Sequence, residues 1–316
     1  MLGVAVWIAL SLRADLSAWE TRVAPDARPG YDGVTASYFG VSTLLFDDGE
    51  TQLMIDGFFS RPGLLALLGV ESVAPEIDRI ESALERAAVD RLVAVFAVHS
   101  HYDHAMDVGE VALRTGASVV GSRSTANVAR GAGVPESQIV EVESGAPMRF
   151  GAFTVTVLAS RHVPVVDGGP PMPGEIAEPL VPPASISAWR EGGSFSILID
   201  HPRGSALVQG SAGYLEGALA GRHADVVFLG IGGLSRLPED HTSAYFAEVV
   251  QPVSPTRIYP VHWDDLTEAP TPGELPLSAP RLAWNTATSL EHIDAMAQPL
   301  GIEVLLPRSY RKIALY

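Results

Sequence analysis

The sequence predicts an α/β protein in which two β-sheets are covered by outer helices. Three observations carry that prediction: strands paired through a tight turn near the start, a continuous apolar strand in the middle, and later segments that alternate strand with helix.

Residues 36–46 and 51–56 read as two strands joined by the turn Asp47-Asp48-Gly49, a strong hairpin signal. Residues 77–88 place Ile77, Ile80, Leu84, Ala87 and Ala88 at helical spacing, with charges left for water. Residues 92–98 form an unbroken apolar run rich in β-branched side chains, as expected of a strand buried on both faces. Further strands are expected at 118–121, 153–158, 195–199, 206–209, 226–230 and 257–260, and helices at 124–131, 242–251 and 289–300. Between 163 and 183 the run VPVVDGGPPMPGEIAEPLVPP holds seven prolines and three glycines. Proline at that density forbids helix or central strand, so a long ordered loop is expected, and such loops usually serve function.

Composition narrows the function. With 47% hydrophobic and 18% charged residues in 316, the chain can bury a sizeable core and is not a disordered one. Its net charge of −16 and lack of any basic stripe argue against a nucleic-acid partner. The same acidity is read as a solubility feature. Cysteine is absent, which removes disulfides, thiolate ligands and cysteine nucleophiles, and leaves any metal to His, Asp or Glu.

Residues 1–12 are apolar, too short to span a bilayer, and resemble the middle of an export signal. No Lys or Arg precedes them, and Leu16-Ser17-Ala18 is a poor cleavage site. A signal, a clipped membrane anchor giving membrane contact, and a core-packed helix stay open, so the compartment does too. Residues 1–30 are read as an apolar segment and linker, and 31–316 as a single domain.

The most informative residues follow the strand at 92–98: His99-Ser100-His101-Tyr102-Asp103-His104. In an extended segment residues two apart project to one side, so His99 and His101 can bind one ion together. Asp103 and His104 fall in the turn beyond, where the backbone can aim them at a second ion. The plain alternative is a helix cap at Asp103. Clustered imidazoles, however, cost desolvation unless an ion compensates.

HSHYDH matches the HxHxDH signature of the metallo-β-lactamase superfamily, and the chain resembles that superfamily over most of its length. YFGVSTLLFDDGETQLMIDGF is similar to its first hairpin, with Asp56 as the closing aspartate. The resemblance is greatest to the branch that includes L-ascorbate-6-phosphate lactonase and N-acyl-phosphatidylethanolamine phospholipase D. It implies a four-layered αβ/βα sandwich and a metal-dependent hydrolase, with zinc first and manganese or iron as alternatives. It also implies the ligand sets: His99, His101 and His162 for one ion, and Asp103, His104 and His262 for the other.

One departure stands out. Where the family has a bridging aspartate, this chain reads Gln209-Gly210-Ser211-Ala212-Gly213. A neutral hydroxyl bridges two cations poorly, so Ser211 is expected to weaken the second site, leaving one ion or two. Asp264, Asp265 and Glu175 are stand-ins by position only. His201, His223, His241 and His292 are read as ordinary loop or helix residues. Met172 and Glu175 are expected to form a pocket wall, and Trp189 and Trp263 to be either pocket surface or core.

With three imidazoles at one ion, a fourth position is left for water, the pattern of a catalytic site. Asp103 is then either a ligand of the second ion or a base orienting that water. A small ester-like substrate, lactone or phosphodiester, follows from the resemblance. The rival readings are a metal-binding scaffold or sensor with lost turnover, and a redox di-iron enzyme.

Overall fold

Side-chain alternation along the strands sets the layers of this protein, seen in a computed structural model that describes residues 12–316. In Leu44–Asp47, Leu44 and Phe46 enter one core and Leu45 another, and all three are buried. A strand apolar on both sides needs cover on both sides.

Two seven-stranded mixed sheets meet that need. The first runs, in spatial order, Lys312–Ala314, Thr35–Tyr38, Leu44–Asp47, Gln52–Ile55, Leu92–Phe96, Ser118–Gly121 and Ile139–Glu141. The second runs Glu303–Val304, Arg257–Val261, Val226–Gly230, Gly204–Gln209, Ser194–His201, Phe153–Ser160 and Pro147–Phe150. Each joins antiparallel strands on one side to parallel strands on the other.

The sheets share an inner core in which Phe46 meets Phe228 edge-on at 5.6 Å. Helices Ile77–Arg86, Val108–Thr115 and Arg123–Gly131 cover the outer face of the first sheet through Ile80, Val111 and Val128. Glu239–Val249 and Thr286–Ala297 cover the second through Tyr245, Phe246 and Ile293. Each such side chain contributes about 1.5–3 kcal/mol by leaving water. This is the expected four-layered αβ/βα sandwich.

Two sequence expectations need correction. The strand expected over 36–46 is two strands, Thr35–Tyr38 and Leu44–Asp47, reversed by a turn at Gly40 (φ +92°) and Val41 (φ +52°). That turn is buried, and the apolar Phe39 and Val41 on either side of Gly40 let it read as a continuation of the strand. Helix Val108–Thr115 was not expected; it follows the histidine cluster and ends at Gly116 in the left-handed region. The short strands Ile139–Glu141, Pro147–Phe150, Glu303–Val304 and Lys312–Ala314 were not expected either, and the elements that were expected differ mainly at their ends, as strand Phe153–Ser160 against 153–158 shows.

The apolar reading of residues 1–12 falls outside the described residues except for Leu12. Residues 13–26 lie against the body: Arg13 pairs with Asp265 at 2.5 Å, Trp19 is buried, and Arg22 makes two bonds to Asp294 at 2.7 and 2.6 Å. The proline-rich loop is fastened to helix Arg123–Gly131, with Ile176 N–H donating to Ser124 Oγ at 2.9 Å and Asn127 Nδ2 to the Ile176 carbonyl at 2.7 Å.

Candidate metal centre

The site forms where strand ends of both sheets meet. After Leu92–Phe96 the chain bends at Val98 and His99, is extended at His101 (φ −62°, ψ 157°) and then makes one helical turn, Tyr102–Ala105. His99, His101, Asp103 and His104 are all buried. His162 follows Phe153–Ser160, Ser211 follows Gly204–Gln209, and His262 follows Arg257–Val261.

Ring centroids of His99 and His101, His99 and His162, and His101 and His162 lie 4.7, 4.7 and 4.8 Å apart. One ligand atom from each of these three residues lies within 4.8 Å of the others, and the same holds for His99, Asp103 and His104. His262 joins from the other sheet, its Nε2 3.2 Å from His104 Nε2 and 3.3 Å from the Asp103 carboxylate. Residues 162 and 262 thus converge on the 99–104 segment, as the ligand sets require.

Neighbouring acceptors fix which nitrogen each ring presents. His104 Nδ1 donates to Asp56 at 2.8 Å, His101 Nε2 to the Pro171 carbonyl at 2.8 Å, and His162 Nδ1 to the Val163 carbonyl at 2.9 Å. The opposite nitrogen of each ring is left for an ion, the usual division of a ligating imidazole. Both nitrogens of His99 are buried without a partner among the described residues. Orphaned buried polar atoms are rare in a settled core, and here an ion would satisfy one of the two.

Electrostatics point the same way. Burial, reinforced by the facing imidazoles, holds His99 well below the ordinary histidine range. Burial lowers His101 as well and pushes His162 down to about 3, so these rings are neutral and able to ligate. His104 goes the other way: burial lowers it, but the Asp56 and Asp103 carboxylates outweigh that and raise it. Burial pushes the Asp103 carboxyl up, yet the imidazoles of His104, His262 and His101 together hold it far below the usual range, and it is ionised.

Asp56 is the hub behind the ligands. It is fully buried in the left-handed region (φ +61°) and accepts from Val98 N–H at 2.9 Å, Ser42 Oγ at 2.5 Å and His104. On the opposite side, Gly232 lies so close to His262 that a Cβ there would be 2.7 Å from its Nδ1. Only glycine admits that ring position.

Ser211 lies beside the histidines, its Oγ taken by Val163 N–H at 3.0 Å. The positional stand-ins are committed elsewhere. Asp264 accepts from Tyr38 Oη at 2.9 Å and Val41 N–H at 2.8 Å and faces buried Arg61 at 3.4 Å, while Asp265 pairs with Arg13. Asp264 therefore clamps the 39–43 turn onto the segment after His262, whose own N–H donates to Val41 at 2.6 Å. Asp264→Ala is expected to cost about 3–5 kcal/mol in denaturant unfolding, because it strands a buried guanidinium. An unchanged midpoint would refute that role.

Two pocket expectations are corrected. Glu175 is exposed and lies off the cavity, because the loop turns it outward before burying Ile176. Trp263 is fully buried in the second sheet's outer core, its Nε1 donating to the Pro260 carbonyl at 3.0 Å. Trp189 is likewise core. The cavity beside the histidines, about 420 Å³, is lined by Met172 as expected, and by Trp284, Arg236 and Leu266, which no sequence signal marked. His201, His223 and His241 engage Asp48, Asp225 and the Ala212 carbonyl.

Residues 69–263, more than half of the chain, match the model of the beta-lactamase superfamily domain. The chain belongs to the beta-lactamase superfamily. A protein of Chloroflexus aurantiacus described as a UPF0173 metal-dependent hydrolase is 30% identical over 73 residues, which is 23% of this chain and 30% of that protein. One of the same description from Pyrobaculum islandicum is 22% identical over 143 residues, 45% of this chain and 56% of the relative. The matched stretches thus span less than two thirds of either relative. The solved structure of CmlA, a diiron beta-hydroxylase from Streptomyces venezuelae, has the same fold at 14% identity and a TM-score of 0.57. It covers 91% of this chain and 55% of that one.

Proposed function

We propose that this superfamily member is a metal-dependent hydrolase acting on an ester-like bond of a small molecule, lactone or phosphodiester first. The observation that supports this most is the convergence of five imidazoles and the ionised Asp103, of which His101, His162, His262 and Asp103 line an otherwise mostly apolar cavity. His99, His101 and His162 would hold one ion, and Asp103, His104 and His262 a second. Zinc suits this sulfur-free, nitrogen-rich donor set best, with manganese or iron as alternatives. When bound, such an ion supplies Lewis acidity and a water acidic enough to ionise near neutral pH.

The chain's own groups orient that chemistry. Asp56 keeps the proton on His104 Nδ1, and the Pro171 and Val163 carbonyls fix the rings of His101 and His162. Asp103 ligates when the second site is filled and serves as base to the attacking water when it is empty. The substrate class rests on the resemblance to the lactonase and phospholipase branch, and the description of the curated relatives as metal-dependent hydrolases supports hydrolysis. Residues 31–316 act as one domain in this reading, and the net charge of −16 disfavours nucleic acid.

The test is a panel of lactone, phosphodiester, thioester and β-lactam substrates offered to protein of measured metal content. Turnover of a lactone or phosphodiester, abolished by chelation and restored by zinc, is expected. A protein that binds metal, turns over none of them and is unmoved by His101→Ala in any assay is instead a scaffold, the reading that Ser211 favours. Ser211→Asp is expected to tighten the second ion's Kd by about tenfold or more in chelator competition. An unchanged Kd would clear the serine of limiting that site.

A further inference from the structure

A second cavity, of about 320 Å³, adjoins the one beside the histidines, of about 420 Å³. Leu67, Leu266, Ala283 and Trp284 line both. The charged and hydroxyl groups of the second cavity pair among themselves, Arg13 with Asp265 at 2.5 Å and Thr267 Oγ1 donating to Asp265 at 2.7 Å, which leaves Trp284 Nε1 at the boundary as a buried donor without a partner among the described residues. Arg236 at the first cavity is also engaged, its Nη1 donating to the Leu282 and Ala283 carbonyls at 3.4 and 3.0 Å and fixing the backbone where the cavities meet. Leu64 and Leu282, which line the second cavity, stand 41% and 62% exposed. A polar extension of a substrate would meet few free partners there, whereas an apolar one would cover side chains now in water.

We infer that the group reacting at the histidines is attached to a linear apolar tail, an alkyl or acyl chain. The tail crosses the boundary at Leu67, Leu266, Ala283 and Trp284 and ends in the second cavity. For its reacting end this inference rests on the hydrolase reading; for its tail it rests on the cavities alone.

Binding of n-alkanoates from butanoate to decanoate to the zinc-loaded full chain, followed by titration calorimetry, tests it. Each added methylene is expected to tighten Kd about fourfold until the second cavity is filled. Ala283→Trp, which narrows the boundary, is expected to stop the rise at short chains, and Leu67→Asp to flatten its slope. A Kd that varies less than twofold across the series, or a slope unchanged in both variants, overturns the tail. If neither variant folds, as read by circular dichroism, the wild-type series decides alone. The two readings fail separately: a chain-length slope without turnover of any ester removes the hydrolase only, and turnover without a slope removes the tail only.

Discussion

His99→Ala is expected to strip the protein of its metal and bring hydrolysis below detection. His99 belongs to both groups of potential ligands, its ring centroid lying 4.7, 3.9 and 4.7 Å from those of His101, His104 and His162. Structural zinc in small proteins is held by roughly 10–16 kcal/mol across about four ligands, so loss of one donor corresponds to roughly a hundredfold to thousandfold weaker binding. Stability of the metal-free chain should move the other way or hardly change, because the substitution removes a buried imidazole with no partner. Elemental analysis after gel filtration, with denaturant unfolding of the metal-free protein, reads both effects. Full metal occupancy in the variant would remove His99 from the centre.

Asp56→Ala is expected to damage stability and metal binding together. The carboxylate carries the Val98 N–H, the Ser42 hydroxyl and His104 Nδ1, and its loss leaves the Val98 N–H buried and unpaired and the other two with only each other, at 3.1 Å. Unpaired buried donors cost about 1–3 kcal/mol each, and loss of an outer-shell partner typically weakens metal binding about 10–100-fold. A fall of several kcal/mol in unfolding free energy is therefore expected, with weaker retention at the site that includes His104. Asp56→Asn should keep the fold better, since asparagine tolerates the left-handed backbone there (φ +61°) and still offers one acceptor. Equal behaviour of the two variants would show that a neutral acceptor at this position does nothing to hold His104.

Local chemistry made much of this legible before any coordinates. The run at 92–98 and the crowded residues 99–104 announce themselves because β-branched periodicity and clustered imidazoles are properties of a short stretch. His162 and His262 were placed through the resemblance, and the fold then brought them to the same point. The buried turn at 39–43 escaped because its polar support, Asp264 and Arg61, lies far away in sequence. Trp284 and Arg236 escaped for the same reason, since nothing in their own neighbourhoods ties them to the histidines.

By itself, then, the sequence determined the layered α/β class, the absence of thiolate ligands and the four crowded donors at 99–104, all of which depend on residue type and short-range spacing, while the resemblance added His162 and His262. Only the tertiary structure decided which nitrogen each imidazole presents, that Asp264 is bound to Arg61, that Glu175 faces water, and that an apolar channel wall stands beside the donors. Those outcomes depend on which distant backbone carbonyl or carboxylate arrives within hydrogen-bond reach, and packing of the two sheets alone fixes that.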